Sequence, residues 1–306
     1  MRLVFAGTPE AAVPSLRALA TSDHDVAAVI TRPDAAVGRR RVLTPSPVAN
    51  AAETLSLDVL KTARLDDAAT LEIGQRAPEL GVVVAYGGLV REPLLSLPAH
   101  GWINLHFSLL PRWRGAAPVQ HALIAGDAET GACVFDLVPE LDAGDIYDEL
   151  RYRIPPAATA GDVLDALAHR GATLLAGVID AIADGTARAH PQRGVATTAP
   201  KLTADDGRLR WDEPADVVLA RFRGVTPEPG AHTSVGGIRV KILAMHRADR
   251  DVKLAPGRIG ADGGHVLVGT VTAPVALAQV QPAGKGAMPA ADWWRGLRVA
   301  EPLAGP

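Results

Sequence analysis

The chain holds 306 residues, 48% of them hydrophobic and 21% charged, with a formal net charge of −3. That length suits about two domains with proper cores, and the ordinary charged fraction excludes a disordered or fibrous chain. Cys133 is the only cysteine, which excludes an intramolecular disulfide and a multi-thiolate metal site and fits a cytoplasmic setting.

The first half alternates between strand and helix patterns. Leu3–Ala6 is a short apolar run closed by Gly7-Thr8-Pro9, after which Val13, Leu16 and Leu19 repeat at helical spacing. Val26–Ile30 and Gly81–Ala85 are rich in Val and predict buried strands, as does Trp102–His106, while 67–76 and 89–97 predict short helices. The longest apolar stretch, around Leu80–Val90, falls far short of the roughly 20 residues of a membrane span. The opening MRLVFAGTPE has neither the long apolar run nor the cleavage site of a secretory leader, so a cytoplasmic monomer without a membrane partner is expected. Strands alternating with helices imply βαβ units and a Rossmann-like α/β domain with a mainly parallel sheet.

From Thr130 the pattern changes. Cys133–Val138 and Ile146–Ile154 predict strands joined through a turn at Asp142-Ala143-Gly144. A long helix follows, opened by Thr159 with Asp162 three residues on, and its apolar face runs through Val163, Leu167, Leu174, Val178 and Ile182. Residues 186–207 are polar, lack a period and contain Pro191, Gly194 and Pro200, which predicts a linker. Beyond it, short apolar runs (Val266–Val271 and Ala276–Val280 among them) alternate with turns at Gly236-Gly237, Pro256-Gly257 and Gly263-Gly264. Such spacing predicts a small β-barrel or sandwich. The expected division is a domain at 1–190, a linker at 191–207 and a barrel domain at 208–306. Residues 1–207 carry 18 basic and 25 acidic residues, whereas 208–306 carry 13 and 9. A basic appendage on an acidic protein suits a polyanionic partner, and the excess is also within ordinary variation.

Several common sites are absent. There is no G-x-G-x-x-G, no P-loop and no G-x-S-x-G, and the nine histidines never fall at H-x-x-H or H-x-x-x-H spacing. No metal is therefore expected, and Cys133, among apolar neighbours, reads as a small core residue. What remains is a polar constellation. Period two places Asn104 and His106 on one face of a strand, their Cα atoms roughly 6–7 Å apart. Asp142 lies on a turn able to bring a carboxylate to His106, where it would orient the imidazole and favour its protonated form. An amide donor, a base and an orienting acid suit addition to a carbonyl through an oxyanion. Spacing alone leaves a second reading open, a buried polar pair satisfied within the core.

Asn104-Leu105-His106 is followed by Ser108-Leu109-Leu110-Pro111-Arg112-Trp113-Arg114-Gly115-Ala116-Ala117-Pro118. This run resembles the signature of formyltransferases that use 10-formyltetrahydrofolate. FAGTPE at 5–10, TRPD at 31–34, VVVAYG at 82–87, LDAGD at 141–145 and QPAGKGAM at 281–288 extend the likeness, and it is strongest to the branch that formylates initiator methionyl-tRNA. The resemblance implies formyl transfer from this folate co-substrate to the α-amino group of the methionyl ester. Asn104, His106 and Asp142 match the family's catalytic positions.

The resemblance places the pterin between Tyr86-Gly87-Gly88-Leu89 and the Leu141–Asp145 turn, read by backbone groups, with Ser108, Leu109, Leu110 and Pro111 along the wall. It makes the second domain an OB-like fold that grips tRNA. It also sets Arg39, Arg40 and Arg41, on a long loop from Arg32 to Pro47, against the acceptor stem, where arginines suit phosphate. Arg221, Arg223, Arg239, Lys241 and Lys285 are the candidate tRNA-binding residues of the second domain. Gly88 and Thr198 depart from what relatives often carry. The alternatives are a formyltransferase acting on a small amine and a non-catalytic RNA-binding protein on the same fold.

Overall fold

The computed structural model describes residues 1–38, 41–249 and 252–305, so Arg39 and Arg40 lie outside the described residues. In chain order the strands are β1 (Arg2–Gly7), β2 (Asp25–Thr31), β3 (Ala35–Val37), β4 (Val42–Thr44), β5 (Val59–Lys61), β6 (Leu80–Val84), β7 (Trp102–His106), β8 (Glu129–Asp136) and β9 (Ile146–Arg153). Then come β10 (His232–Val235), β11 (Ile238–Arg247), β12 (Ile259–Asp262), β13 (His265–Val268), β14 (Val275–Pro282), β15 (Met288–Pro289) and β16 (Ala304–Gly305). The helices are α1 (Val13–Ala20), α2 (Pro47–Thr54), α3 (Asp67–Gly74), α4 (Pro118–Ile124), α5 (Ala160–Ala183), α6 (Ala215–Gly224) and α7 (Ala290–Gly296). The chain divides into two compact units: 1–118 with 129–153 and 164–200, and 119–128 with 154–163 and 201–306.

The first unit is built on a seven-stranded sheet in the order β5-β2-β1-β6-β7-β8-β9. The strands from β5 to β7 run parallel, while β8 and β9 close the sheet antiparallel. This is the mainly parallel α/β sheet the strand and helix alternation predicts. Leu3, Val4, Phe5 and Ala6 of β1 and Leu80, Val82 and Val84 of β6 are wholly buried, as expected of strands covered on both faces. Each large apolar side chain buried there contributes roughly 1.5–3 kcal/mol. Chain direction along the sheet reverses at β1, with β2 on one side and β6 on the other, and such a reversal opens a crevice at the carboxyl ends of the strands.

Helix α5 is long and apolar enough to cross a membrane by length and composition. Its buried residues, Val163, Leu167, Ala168, Leu175, Val178, Ile179 and Ile182, recur at helical spacing, which marks a core helix. Its start is fixed by a reciprocal cap. The Thr159 N–H and hydroxyl both donate to the Asp162 carboxylate, and the Asp162 N–H donates back to Thr159 Oγ1.

Two expectations fail in this unit. Residues 89–97 form turns, not a helix. Leu94 and Leu95 are buried as a helix would bury them, but Pro93 disfavours helical backbone at Glu92 and offers no N–H. The segment from Arg32 to Pro47 is not simply a long loop either. Its flanks, β3 and β4, pair antiparallel, Ala35 opposite Thr44 and Ala36 opposite Leu43.

In the second unit a seven-stranded sheet follows the path β12-β13-β14-β11-β10-β16, with β15 beside β14. The Ile259 N–H donates to the Pro302 carbonyl and the Ala304 N–H to the Gly257 carbonyl, so the segment entering β12 meets the one entering β16. The sheet thereby closes into a barrel and leaves its two ends without a free edge. Val218 and Phe222 of α6 and Trp293 of α7 belong to one core with Val240, Ile242, Val266 and Val280.

Candidate active site

The carboxyl ends of β1, β6 and β7 converge. Beyond β1, the Thr8 hydroxyl donates to the Tyr86 carbonyl at 2.9 Å, tying the Gly7-Thr8-Pro9 turn to the loop after β6. At the end of β7 stand Asn104 and His106. Asn104 is partly exposed, and among the described residues its side-chain amide has no protein partner. His106 is 6% exposed, with its ring perpendicular to that of Phe135 of β8 at 6.2 Å between centroids.

The two imidazole nitrogens of His106 have different neighbours. Nε2 lies 2.9 Å from the Trp113 carbonyl. A carbonyl only accepts, so Nε2 carries a proton in either charge state. Nδ1 faces Asp142 Oδ2 at 3.9 Å and is therefore the nitrogen that titrates. Burial pulls the His106 pKa below its ordinary value, opposed by the Asp142 charge and the Trp113 carbonyl. Asp142 itself sits at φ +48, a left-handed conformation that Asp tolerates better than most residues. Its Oδ2 accepts from the Gly115 N–H at 2.7 Å. Gly144 follows two residues on, where a Cβ would fall 1.8 Å from the Asp136 carbonyl oxygen, so the LDAGD turn can press onto β8 only with glycine there.

The segment read as a linker is fastened to this site. Trp113, at φ +62, donates its N–H to Thr197 Oγ1 at 2.9 Å. The Arg114 N–H donates to the Thr197 carbonyl, Ala199 N–H to the Arg114 carbonyl, and Ala117 N–H to the Ala199 carbonyl. Gly115 lets the two chains approach, since a Cβ there would lie 2.6 Å from the Ala199 oxygen. Gln192 donates through Nε2 to the carbonyls of Asp142 (2.9 Å) and Gly144 (2.8 Å), and its Oε1 accepts from Arg114 Nη2 at 2.6 Å. Neither Gln192 nor Thr197 stands out in the sequence, because one polar residue in an aperiodic stretch carries no signal.

The positions matched to folate binding divide in two. Leu89 and Leu141 are 61% and 59% exposed, unusual for leucine, and Gly87, Gly88 and Asp145 are also exposed. Tyr86, Gly88 and Leu89 line a cavity of about 430 Å³ with Arg64, Asp66 and Arg91. The buried Tyr86 hydroxyl has no hydrogen-bond partner among the described residues, and burial raises its pKa. Gly88 leaves room for Tyr86, whose ring would be 2.6 Å from a Cβ there. Other side chains are spent inside the protein. Ser108 is fully buried and donates to the Arg112 carbonyl at 2.6 Å. Leu110 packs with Cys133, Phe135 and Ile146, Pro111 is buried, and Leu109 lies against Gly131. Burial pushes the Cys133 thiol up to about 12.

Of the basic candidates, Arg41 is exposed in the turn before β4, while Arg39 and Arg40 lie outside the described residues. Arg239 and Lys241 alternate with buried Val240 and Ile242 on β11, so both face outward. Val240 and Lys241 pair with Pro282 and Gln281 of β14, and Gln281 donates to the Lys285 carbonyl, bringing exposed Lys285 to the same end of the barrel. Arg221 and Arg223 instead ride on α6, half-buried, with Arg221 donating to the Asp206 carbonyl. Among the described residues no group of three or more His, Cys, Asp or Glu is placed to hold a metal ion.

Residues 1–179 match the formyl transferase family and residues 201–298 its C-terminal domain, so the chain belongs to the formyl transferase family. The fold is shared by a solved N-formyltransferase from Helicobacter canadensis, in complex with folinic acid and dTDP-3-aminofucose, at 16% identity and a TM-score of 0.68 over 90% of this chain and 98% of that one. The chain is 61% identical to methionyl-tRNA formyltransferase of Clavibacter sepedonicus over 99% of its length and 100% of the relative. It is 62% identical to that of Leifsonia xyli over 97% of each. Within the family it thus falls among the methionyl-tRNA formyltransferases.

Proposed function

We propose that the protein transfers the formyl group of 10-formyltetrahydrofolate to the α-amino group of methionyl initiator tRNA, giving N-formylmethionyl-tRNA. The observation that carries this reading is identity above 60% to enzymes of that name across both units of the chain. No feature of the site favours a small amine instead.

The chemistry follows from the residues at the end of β7. The neutral amine adds to the formyl carbon, the carbonyl oxygen gathers negative charge, and the carbon–N10 bond then breaks as N10 takes a proton. Asn104 offers a free amide to that oxygen, and protonated His106 offers a charged donor beside it. Asp142, 3.9 Å from Nδ1, stabilises the imidazolium while the amine proton moves toward N10. The exposed Leu89 and Leu141 supply apolar cover for a flat pterin ring, with loop backbone for its polar edge. Residues 1–190 would carry this chemistry. The domain at 208–306 would hold the tRNA, with Arg239, Lys241 and Lys285 at one end of the barrel as a phosphate-binding edge, and the arginines at 39–41 would meet the acceptor stem.

The test offers purified protein 10-formyltetrahydrofolate with methionyl initiator and methionyl elongator tRNA side by side. Formylation of the initiator alone is expected. Formylation of neither, with a small amino sugar nucleotide accepted, would overturn the reading.

A further inference from the structure

We infer that Gln192 is a positioning residue for formyl transfer: it clamps the Asp142 turn to the Arg114 loop and so holds the Asp142 carboxylate at His106. The inference rests on the reaction proposed above. It starts from the number of bonds made by one side chain. Gln192 Nε2 spends both N–H groups on the carbonyls of Asp142 and Gly144, and Oε1 accepts from the Arg114 guanidinium. The orientation of the amide is fixed by its partners, since two carbonyls require the NH₂ and a guanidinium requires the oxygen. Asp142 is held from the other side by the Gly115 N–H on its Oδ2.

This arrangement has a mechanical meaning. Asp142 is in left-handed backbone at φ +48, a conformation that persists only where the surroundings enforce it. Its carboxylate is 3.9 Å from Nδ1, within coulombic reach and too far for a hydrogen bond. At that spacing the attraction falls off with distance, so a displaced turn weakens the carboxylate's hold on the imidazolium. Gln192 joins the two loops whose separation sets the gap, one carrying Asp142 and the other Gly115, and it reaches them from the 186–200 segment.

The other groups facing His106 do not replace Asp142. Across the strand pair, Cys133 is opposite His106 in register, and its thiol stays neutral through the working range. Glu149 pairs with Cys133 one strand further out. Phe135 supplies an aromatic ring and Trp113 a carbonyl, neither of which titrates.

The test uses the full chain and two variants. Gln192→Met keeps the length of the side chain and removes all three bonds. Gln192→Glu keeps the acceptor for Arg114 but sets a carboxylate against two carbonyls. Imidazole NMR, with His106 assigned by its loss in His106→Gln, reads the titration of that ring in the free protein. In Gln192→Met the His106 titration is expected to move to lower pH, in the direction Asp142→Asn moves it and by a smaller amount, whereas in Gln192→Glu the added carboxylate opposes that movement and the variant is read through kcat. The kcat for formylation should fall about ten- to a hundredfold with the folate KM within a fewfold and the melting temperature within a few degrees. An unmoved titration in folded Gln192→Met, or a wild-type rate in either variant, would overturn the inference. Because the ring titration is read without turnover, a wild-type chain inactive on tRNA would sink the proposed reaction and leave this result standing by itself.

Discussion

In the proposed reaction Asn104 and His106 do different work at one oxygen, and removing each should show it. Asn104→Ala deletes a donor that supports no protein partner among the described residues, so its expected loss in kcat of about 10²–10³-fold should come with a melting temperature unchanged within error; calorimetry beside a formylation assay decides this. His106 has a second, measurable consequence. Its burial outweighs the pull of Asp142 and leaves its folded pKa below the ordinary 6.5. Between those two values the unfolded chain binds more protons than the folded one, so stability is complete above about pH 6.5 and is lost as the pH falls through that window toward the folded value. Denaturant midpoints measured from pH 7.5 down to 5 should therefore decline, and His106→Gln should flatten part of the decline. His232, also depressed by burial, contributes in the same direction. The proposed chemistry wants the imidazole charged and the fold wants it neutral, and the Asp142 charge offsets part of the burial.

At the scale of elements, what the sequence discloses follows the strength of local patterns. The apolar runs of β1, β2, β6 and β7 are legible because buried parallel strands need continuous Val, Leu and Ile, and the glycine pairs mark the hairpin turns of the barrel. The start of α5 is legible through Thr159 and Asp162 alone. Thr159→Ala should remove the cap on the longest helix and cost about 1 kcal/mol, read as a shift of roughly 2–4 °C in melting temperature. Helix α6 is less legible because ADVVLARFRG alternates apolar and charged residues with little net apolarity. The β3–β4 pair is hidden because two three-residue strands flank a run of arginines, a pattern that reads as loop. Asn104, His106 and Asp142 are visible through their spacing and motif. Gln192 and Thr197 are not, because their partners, mostly backbone groups, are distant in sequence, and no periodicity records a bond of that kind.

At the scale of the whole molecule, charge is apportioned unevenly. The first 207 residues carry an acidic excess, while the barrel region carries a basic one. Arg239, Lys241 and Lys285 gather at one end of the barrel, whereas Arg221 and Arg223 are half-buried in α6. For every phosphate that a substitution leaves unneutralised, the slope of log affinity against log salt should fall by about 0.7–0.9. The triple variant Arg239→Gln, Lys241→Gln, Lys285→Gln should therefore bind tRNA with a visibly shallower salt dependence and an unaltered folate KM. Arg221→Gln should perturb stability more than binding. An equal salt slope in wild type and triple variant would remove that edge from the tRNA surface.

The hydrogen bonds from 192 to 199 bear on how this family can be recombined. A chimera that swaps the barrel for that of a distant relative has two natural-looking junctions, one after Gly185 where α5 ends and one after Pro200. A graft at the first imports a foreign Gln192 and Thr197 equivalent along with the barrel, and its transferase should be crippled however well both halves fold. A graft at the second keeps the host's own fastening, and should inherit the host's turnover together with the donor's taste in tRNA.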